Sequence, residues 1–284
     1  MLHRHPFSVA TGSSLSYDLH RFQPGFRKFD LPFPIYLFYP AIAAPQPQRF
    51  GPYTFEAALD AEDVAPGAPL VLISHRVEAS PWEHRDLAIN LARCGYRVAL
   101  AEYPAAREFK EKRIAYIPSL LARPGEIQII LDLLESNSVV LLGHSVGATP
   151  LLSLVGGFYP PGNATGHADP RVRALVLLVP STSWYQKPGA LARVRIPMLM
   201  ITAEHDAHIP PATWELLQRE LPPSTPFQHY MVPGANHGSL QSPDPEPATT
   251  HGFDRAAFQP ILAGRIDSFL RPYIFFPFAS SAKS

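Results

Sequence analysis

The chain has a single cysteine among its 284 residues, no surplus of either charge, and no apolar run of membrane-crossing length. Each shortage closes off a class of function. The lone thiol, Cys94, cannot form an internal disulfide or build a cysteine metal site, and its place in "LARCGYRV" fits a packed side chain near a helix end. Lys plus Arg and Asp plus Glu both total 24, giving a formal net charge of zero. The basic footprint of a nucleic-acid binder is therefore missing, and the expected partner is a small, weakly charged molecule. The apolar stretches fall short of a bilayer span. The opening "MLHRHPFSVATG" also lacks the apolar centre of a secretory signal, so a cytoplasmic location is expected.

Proline, by contrast, is plentiful, and its clusters ("DLPFPIYLFYP", "AAPQPQRFGP", "FYPPGN", "SPDPEP") mark many loops. No internal repeat or linker-like block interrupts the chain. A single domain over residues 1–284 is expected: an N-terminal β segment at 1–65, a core at 66–274 and a tail at 275–284. The aromatic-rich "FLRPYIFFPFA" near the end is expected to pack on its own domain; a homodimer contact is the alternative.

From residue 69 strands and helices alternate. "PLVLISH" (69–75), "YRVALAEYP" (96–104), "VVLLGH" (139–144), "RALVLLVP" (173–180), "PMLMITAEHD" (197–206) and "FQHYMVPG" (227–234) read as buried strands. Helices are expected at 82–95, stopped by Gly95; at 124–138, with Pro124 in the first turn; at 145–157; at 211–221; and at 253–274, broken or bent around Pro260. Such alternation predicts an α/β fold, a mostly parallel sheet with helices on both faces. The first sixty residues, with "SSLSYDLHRF", "PIYLFYPAI" and "GPYTFEAALDA", predict antiparallel strands at its margin.

Within this frame "LLGHSVGAT" (141–149) places Ser145 between Gly143 and Gly147, after a strand and at the start of a helix. That context is what a nucleophile elbow requires. A serine hydroxyl needs a base to take its proton and an acid to orient the base. Such groups are expected where later strands end. "ITAEHDAHIPP" offers Asp206, with Glu204 as rival acid and His205 and His208 as neighbours. "GANHG" offers His237, with His251 as rival base. Ser145, Asp206 and His237 follow in the serine–acid–histidine order. His144 reads as structural.

Over residues 35–274 the chain resembles an α/β-hydrolase without a large lid domain. It is most similar to the dienelactone-hydrolase-like and platelet-activating-factor-acetylhydrolase-like branch, which includes serine esterases and polyester hydrolases. "FYPA" (38–41), "PLVLISH", "LARCGYRVALAEYP" (91–104), "GHSVG" (143–147), "ITAEHD" (201–206) and "GANH" (234–237) carry the likeness. It implies a catalytic triad of Ser145, Asp206 and His237, an oxyanion hole from the N–H groups of Val146 and Val77, and no cofactor or metal. One departure stands out. The loop after "PLVLISH" is glycine-rich in that branch and here reads "SHRVEASPWEH", with Arg76 at the usual glycine. Arginine tolerates fewer backbone angles, so the loop is expected to take another shape. Arg76 itself either reaches substrate or pairs with Glu78, Glu83 or Glu102. Pro150 is a second oddity, falling at the limit of what a helix start accepts.

Trp184 and Tyr185 on one side, Trp82 and Tyr103 on the other, are candidates for pocket walls. The expected activity is hydrolysis of a carboxylic ester or lactone through an acyl-enzyme on Ser145. Acyl transfer and thioester cleavage use the same triad, and a non-catalytic binding protein of the same fold is the reading from another class.

Overall fold

The apolar runs at 70–74, 139–144 and 198–203 are buried along their whole length, as a sheet covered by helices demands, whereas the run at 227–232 lies at the sheet edge and is largely exposed. The computed structural model describes residues 21–158, 168–244 and 252–274. It contains a ten-stranded sheet in the order β10-β9-β8-β7-β5-β6-β2-β1-β4-β3. The six strands β5 (Leu70–Ser74), β6 (Arg97–Ala101), β7 (Val139–His144), β8 (Val172–Leu178), β9 (Met198–Ala203) and β10 (Phe227–Val232) run parallel. At one margin β2 (Ile35–Ala41) joins β6 antiparallel, followed by β1 (Gln23–Phe29), β4 (Tyr53–Leu59) and β3 (Gln46–Phe50). The chain is an α/β protein.

The strand period of two sorts side chains between two cores. Leu70, Leu72, Val139 and Leu141 face one core, where α3 (Tyr116–Leu133), α4 (Thr149–Ser153) and α5 (Ala212–Glu220) supply Leu120, Ile127, Leu151 and Leu217. Val71, Ile73, Val140 and Leu142 face the other, against Leu87 and Leu91 of α1 (Arg85–Arg93) and Leu262 and Ile266 of α6 (Arg255–Ile274). Cys94 is buried at the end of α1.

Several local expectations are corrected. α3 begins at Tyr116, so Pro124 lies inside it and not in its first turn. The apolar face that α3 buries through Leu120, Ile127, Ile130 and Leu131 holds the helix together despite the hydrogen bond that Pro124 cannot make. A further helix, α2 (Pro104–Lys110), starts on a proline at its first position and interrupts the expected strand-to-loop run. β3 contains Pro47, tolerated because the strand is at the sheet edge. α6 runs continuously through Pro260. Most of "SSLSYDLHRF", His251 and the tail from 275 lie outside the described residues.

One short 3₁₀ turn, Pro81–His84, ties several parts together. Ser80 and Glu83 cap its start reciprocally. Trp82 packs its ring against Tyr36, Phe50 and Phe55, with centroids 4.4, 5.0 and 5.4 Å away. The carbonyl of Glu83 accepts the Ser242 N–H at 2.7 Å, and its carboxylate accepts a bond from the Gln241 amide.

Candidate functional site

Ser145 sits where β7 stops, with φ of +55°. That left-handed conformation costs a non-glycine residue roughly 1–3 kcal/mol and needs surroundings that enforce it. Glycines on either side supply them. A Cβ on Gly143 would lie 2.5 Å from the Ala148 Cα, and one on Gly147 would lie 2.2 Å from the Ser74 carbonyl oxygen. The turn and the end of β5 are thus in backbone contact. The Ser145 carbonyl accepts the Ser181 N–H at 3.1 Å, fixing the turn from the β8 side. The chain continues as a 3₁₀ turn over Ser145–Ala148 before α4 begins at Thr149. This break in helix type puts Pro150 in the first turn of α4, where its missing N–H removes no helix bond.

The structure brings Ser145, His237 and Asp206 together. Ser145 Oγ is 2.9 Å from His237 Nε2, and His237 Nδ1 is 2.8 Å from Asp206 Oδ2. The other oxygen of Asp206 accepts the N–H groups of His208 and Ile209 at 2.8 and 3.0 Å. Burial alone would raise the Asp206 pKa, but the bonds from His237 and the two N–H groups outweigh it and hold the carboxyl below its usual range. The group is therefore an anion facing the imidazole. Glu204 points elsewhere, its carboxylate accepting the Gly234 N–H at 2.8 Å. His205 and His208 border an open groove of about 420 Å³ beside His237.

Beneath His237 stand two more imidazoles. The ring centroids of His237 and His144 are 5.5 Å apart, and those of His144 and His84 are 5.1 Å apart. Burial, with the neighbouring imidazoles second, keeps His144 well below the ordinary histidine pKa. Burial, with Arg76 nearby, takes His84 down to about 4. Both are neutral at pH 7, so neither places a positive charge against His237. Among the described residues neither ring nitrogen of His84 has a hydrogen-bond partner.

Val146 occupies the second position of the 3₁₀ turn, where a backbone N–H has no partner within the helix. Val77 lies in the loop after β5 and is fully buried. That loop achieves its path without glycine. Arg76 is not among the residues with positive φ, so the feared steric conflict does not arise. The Arg76 guanidinium is 3.6 Å from the Glu83 carboxylate, one of the expected pairings, and Lys110 Nζ donates to the Ala79 carbonyl at 2.7 Å.

The expected aromatic walls fare differently. Tyr103 is 1% exposed and donates to the Ile73 carbonyl, while Tyr185 is 0% exposed and donates to the Thr149 carbonyl. Each hydroxyl finds its partner inside, so both rings brace loops and present no surface. Trp82 is buried among the N-terminal aromatics. Trp184 alone of the four is half-buried. Arg123 escaped the sequence reading: it looks like a solvated helix residue in "LLARPGE", yet it is fully buried beneath the Arg76 loop. Among the described residues no cluster of three or more His, Cys, Asp or Glu forms a metal site, and no helix is long and apolar enough to cross a membrane.

No protein-family model matches the chain, and no curated protein matches it in sequence. Among solved structures it is similar to one described as "Ferulic acid esterase from Streptomyces cinnamoneus". The two are 17% identical with a TM-score of 0.66, and the match covers 94% of this chain and 93% of the other. At that identity the likeness concerns the fold.

Proposed function

We propose that the protein is a serine hydrolase that cleaves a carboxylic ester or lactone through an acyl-enzyme on Ser145. The observation that carries this reading is the unbroken relay from Ser145 Oγ through His237 to Asp206. In the first half-reaction His237 Nε2 takes the hydroxyl proton as Oγ attacks the acyl carbon. Asp206 keeps the other ring proton on Nδ1 and stabilises the imidazolium that forms. The carbonyl oxygen becomes an oxyanion that the N–H groups of Val146 and Val77 meet, each donor contributing about 2.7–4 kcal/mol. Collapse breaks the ester bond, and His237 returns its proton to the departing alkoxide. Water then repeats the sequence on the acyl-enzyme and frees the acid.

The open groove beside His237 supports this second step, since it gives water a route to the imidazole. It also suits small acyl esters, lactones or an exposed polymer segment. The similarity in fold to a ferulic acid esterase agrees with ester chemistry, and the resemblance in sequence motifs points to the dienelactone-hydrolase-like branch. A cytoplasmic setting belongs to the same reading, supported by the single cysteine.

Intact mass after exposure to a fluorophosphonate tests the proposal. The expected result is one adduct on the wild type and none on Ser145→Ala, followed by turnover in an ester and lactone panel. A folded wild type that takes no adduct and turns over no ester would overturn it in favour of a binding protein.

A further inference from the structure

We propose that Arg123 is a positioning residue for the oxyanion hole, taking over the role that glycines would play in shaping the loop after β5. The inference rests on the reading of Ser145 as nucleophile with Val77 and Val146 as donors.

The end of β5 is gripped at three successive residues. Tyr103 Oη donates to the Ile73 carbonyl at 3.0 Å. Arg123 Nη1 donates to the Ser74 hydroxyl and to the His75 carbonyl, both at 3.0 Å. The His75 ring is itself held between two carbonyls, with Nδ1 2.7 Å from that of Arg76 and Nε2 3.1 Å from that of Ala101, its one N–H serving one of them. Val77 follows two residues later, so its N–H direction is inherited from these anchors.

One of these gripped groups, the His75 carbonyl, also abuts the nucleophile turn. A Cβ on Gly147 would meet the Ser74 and His75 carbonyl oxygens at 2.2 and 2.6 Å. Arg123 therefore holds, from below, the very backbone that faces Gly147, next to Val146. The separation of the two N–H donors is set at this contact.

Arg123 is in turn fixed on its other sides. Its guanidinium lies 3.7 Å over the Tyr103 ring. Its Nε is 3.4 Å from Glu126 Oε2, and Glu126 Oε1 accepts the Ala105 N–H at 2.7 Å. Burying such a pair is costly, and apolar side chains of similar volume often fill the space with equal or better stability. What the guanidinium adds is direction, delivered as two hydrogen bonds to the loop.

The experiment compares wild type with Ser74→Ala, Arg123→Lys and the double variant Arg123→Met/Glu126→Gln, which leaves no unpaired buried charge. Folding is checked by circular dichroism. Steady-state hydrolysis of p-nitrophenyl acetate gives kcat and KM, and inhibition by phenylboronic acid reports affinity for a tetrahedral adduct. For the double variant kcat should fall about 100-fold, the order of one misplaced donor, with KM within about threefold. Phenylboronic acid affinity should weaken by the same factor as kcat. Arg123→Lys should recover part of both, and Ser74→Ala, which keeps the bond to His75, should lose about three- to tenfold. Folded variants with kcat and inhibition within about twofold of wild type would overturn the inference and leave Arg123 a packing residue. Should the Arg123 variants fail to fold, Ser74→Ala decides by the same two readouts. A wild type without Ser145-dependent turnover would overturn the hydrolase reading and this inference together. An active wild type matched by its variants would overturn this one alone.

Discussion

The Gly147→Ala substitution places a methyl carbon 2.2 Å from the Ser74 carbonyl oxygen and 2.6 Å from that of His75. Both obstacles are backbone atoms, so no side-chain rotation relieves them. Ordinary contact requires a separation of roughly 3.5 Å, and the nucleophile turn and the β5 loop must therefore move apart by about 1 Å. Overpacking of this kind costs roughly 1–3 kcal/mol of stability. The displacement also pulls the Val77 N–H away from the Val146 N–H, and one lost oxyanion donor lowers kcat by about 10²–10³. Gly125→Ala serves as the control, because a Cβ there meets nothing within 4 Å and alanine in a helix gains about 0.5–1 kcal/mol. Denaturant midpoints and kcat on an activated ester measure both effects. A Gly147→Ala protein with the wild-type midpoint and a kcat within about threefold would refute the reasoning, since it would show that the two segments are not in rigid contact.

Asp206→Asn should leave the protein folded and reduce kcat by up to about 10⁴, because the asparagine no longer fixes the working tautomer of His237. Glu204→Gln, whose carboxylate accepts the Gly234 N–H and lies 4.0 Å from the His205 ring, should stay within a few-fold of wild type in the same assay; the reverse ranking would make Glu204 the acid. Stability should also depend on His84, whose pKa falls from 6.5 unfolded to about 4 folded. Above pH 6.5 both states are neutral; between 6.5 and 4 the unfolded chain takes the proton first, so stability drops as pH falls, by about 2 kcal/mol at pH 5. His84→Leu removes no hydrogen bond among the described residues and should flatten that slope in urea titrations at pH 8 and pH 5; an unchanged slope would assign the acid sensitivity to other groups.

Much of the architecture was legible because its signals are local. Strands such as "VVLLGH" are short apolar runs, and the serine, the acid and the histidine each follow one directly. The sequence favoured Asp206 over Glu204 without showing the physical reason. Both follow β9, and only the turn that closes the Asp206 N–H onto the Ala203 carbonyl at 3.3 Å selects which carboxylate faces His237. Tyr103 and Tyr185 misled for a similar reason. An aromatic after a strand looks like a pocket wall until a carbonyl far along the chain claims its hydroxyl. Arg123 was invisible because its partners, Ser74 and His75, are 49 and 48 residues away. Helix type was equally hidden: the 3₁₀ start at Ser145 is what makes Pro150 acceptable, and no periodicity in "SVGATPLLS" announces it.

The 3₁₀ turn at Pro81–His84 makes the protein indivisible where its sequence suggests a seam. Residues 21–65 form the marginal strands, and trimming them looks harmless to a core that begins at β5. Yet Phe50 and Phe55 are the walls of the cage around Trp82. The next residue, Glu83, holds Ser242 of the loop that carries His237 and faces Arg76 of the loop after β5. Excising the margin would empty the cage and slacken two loops on opposite sides of Ser145 at once. The marginal strands are thus part of the smallest unit in which this site can keep its shape.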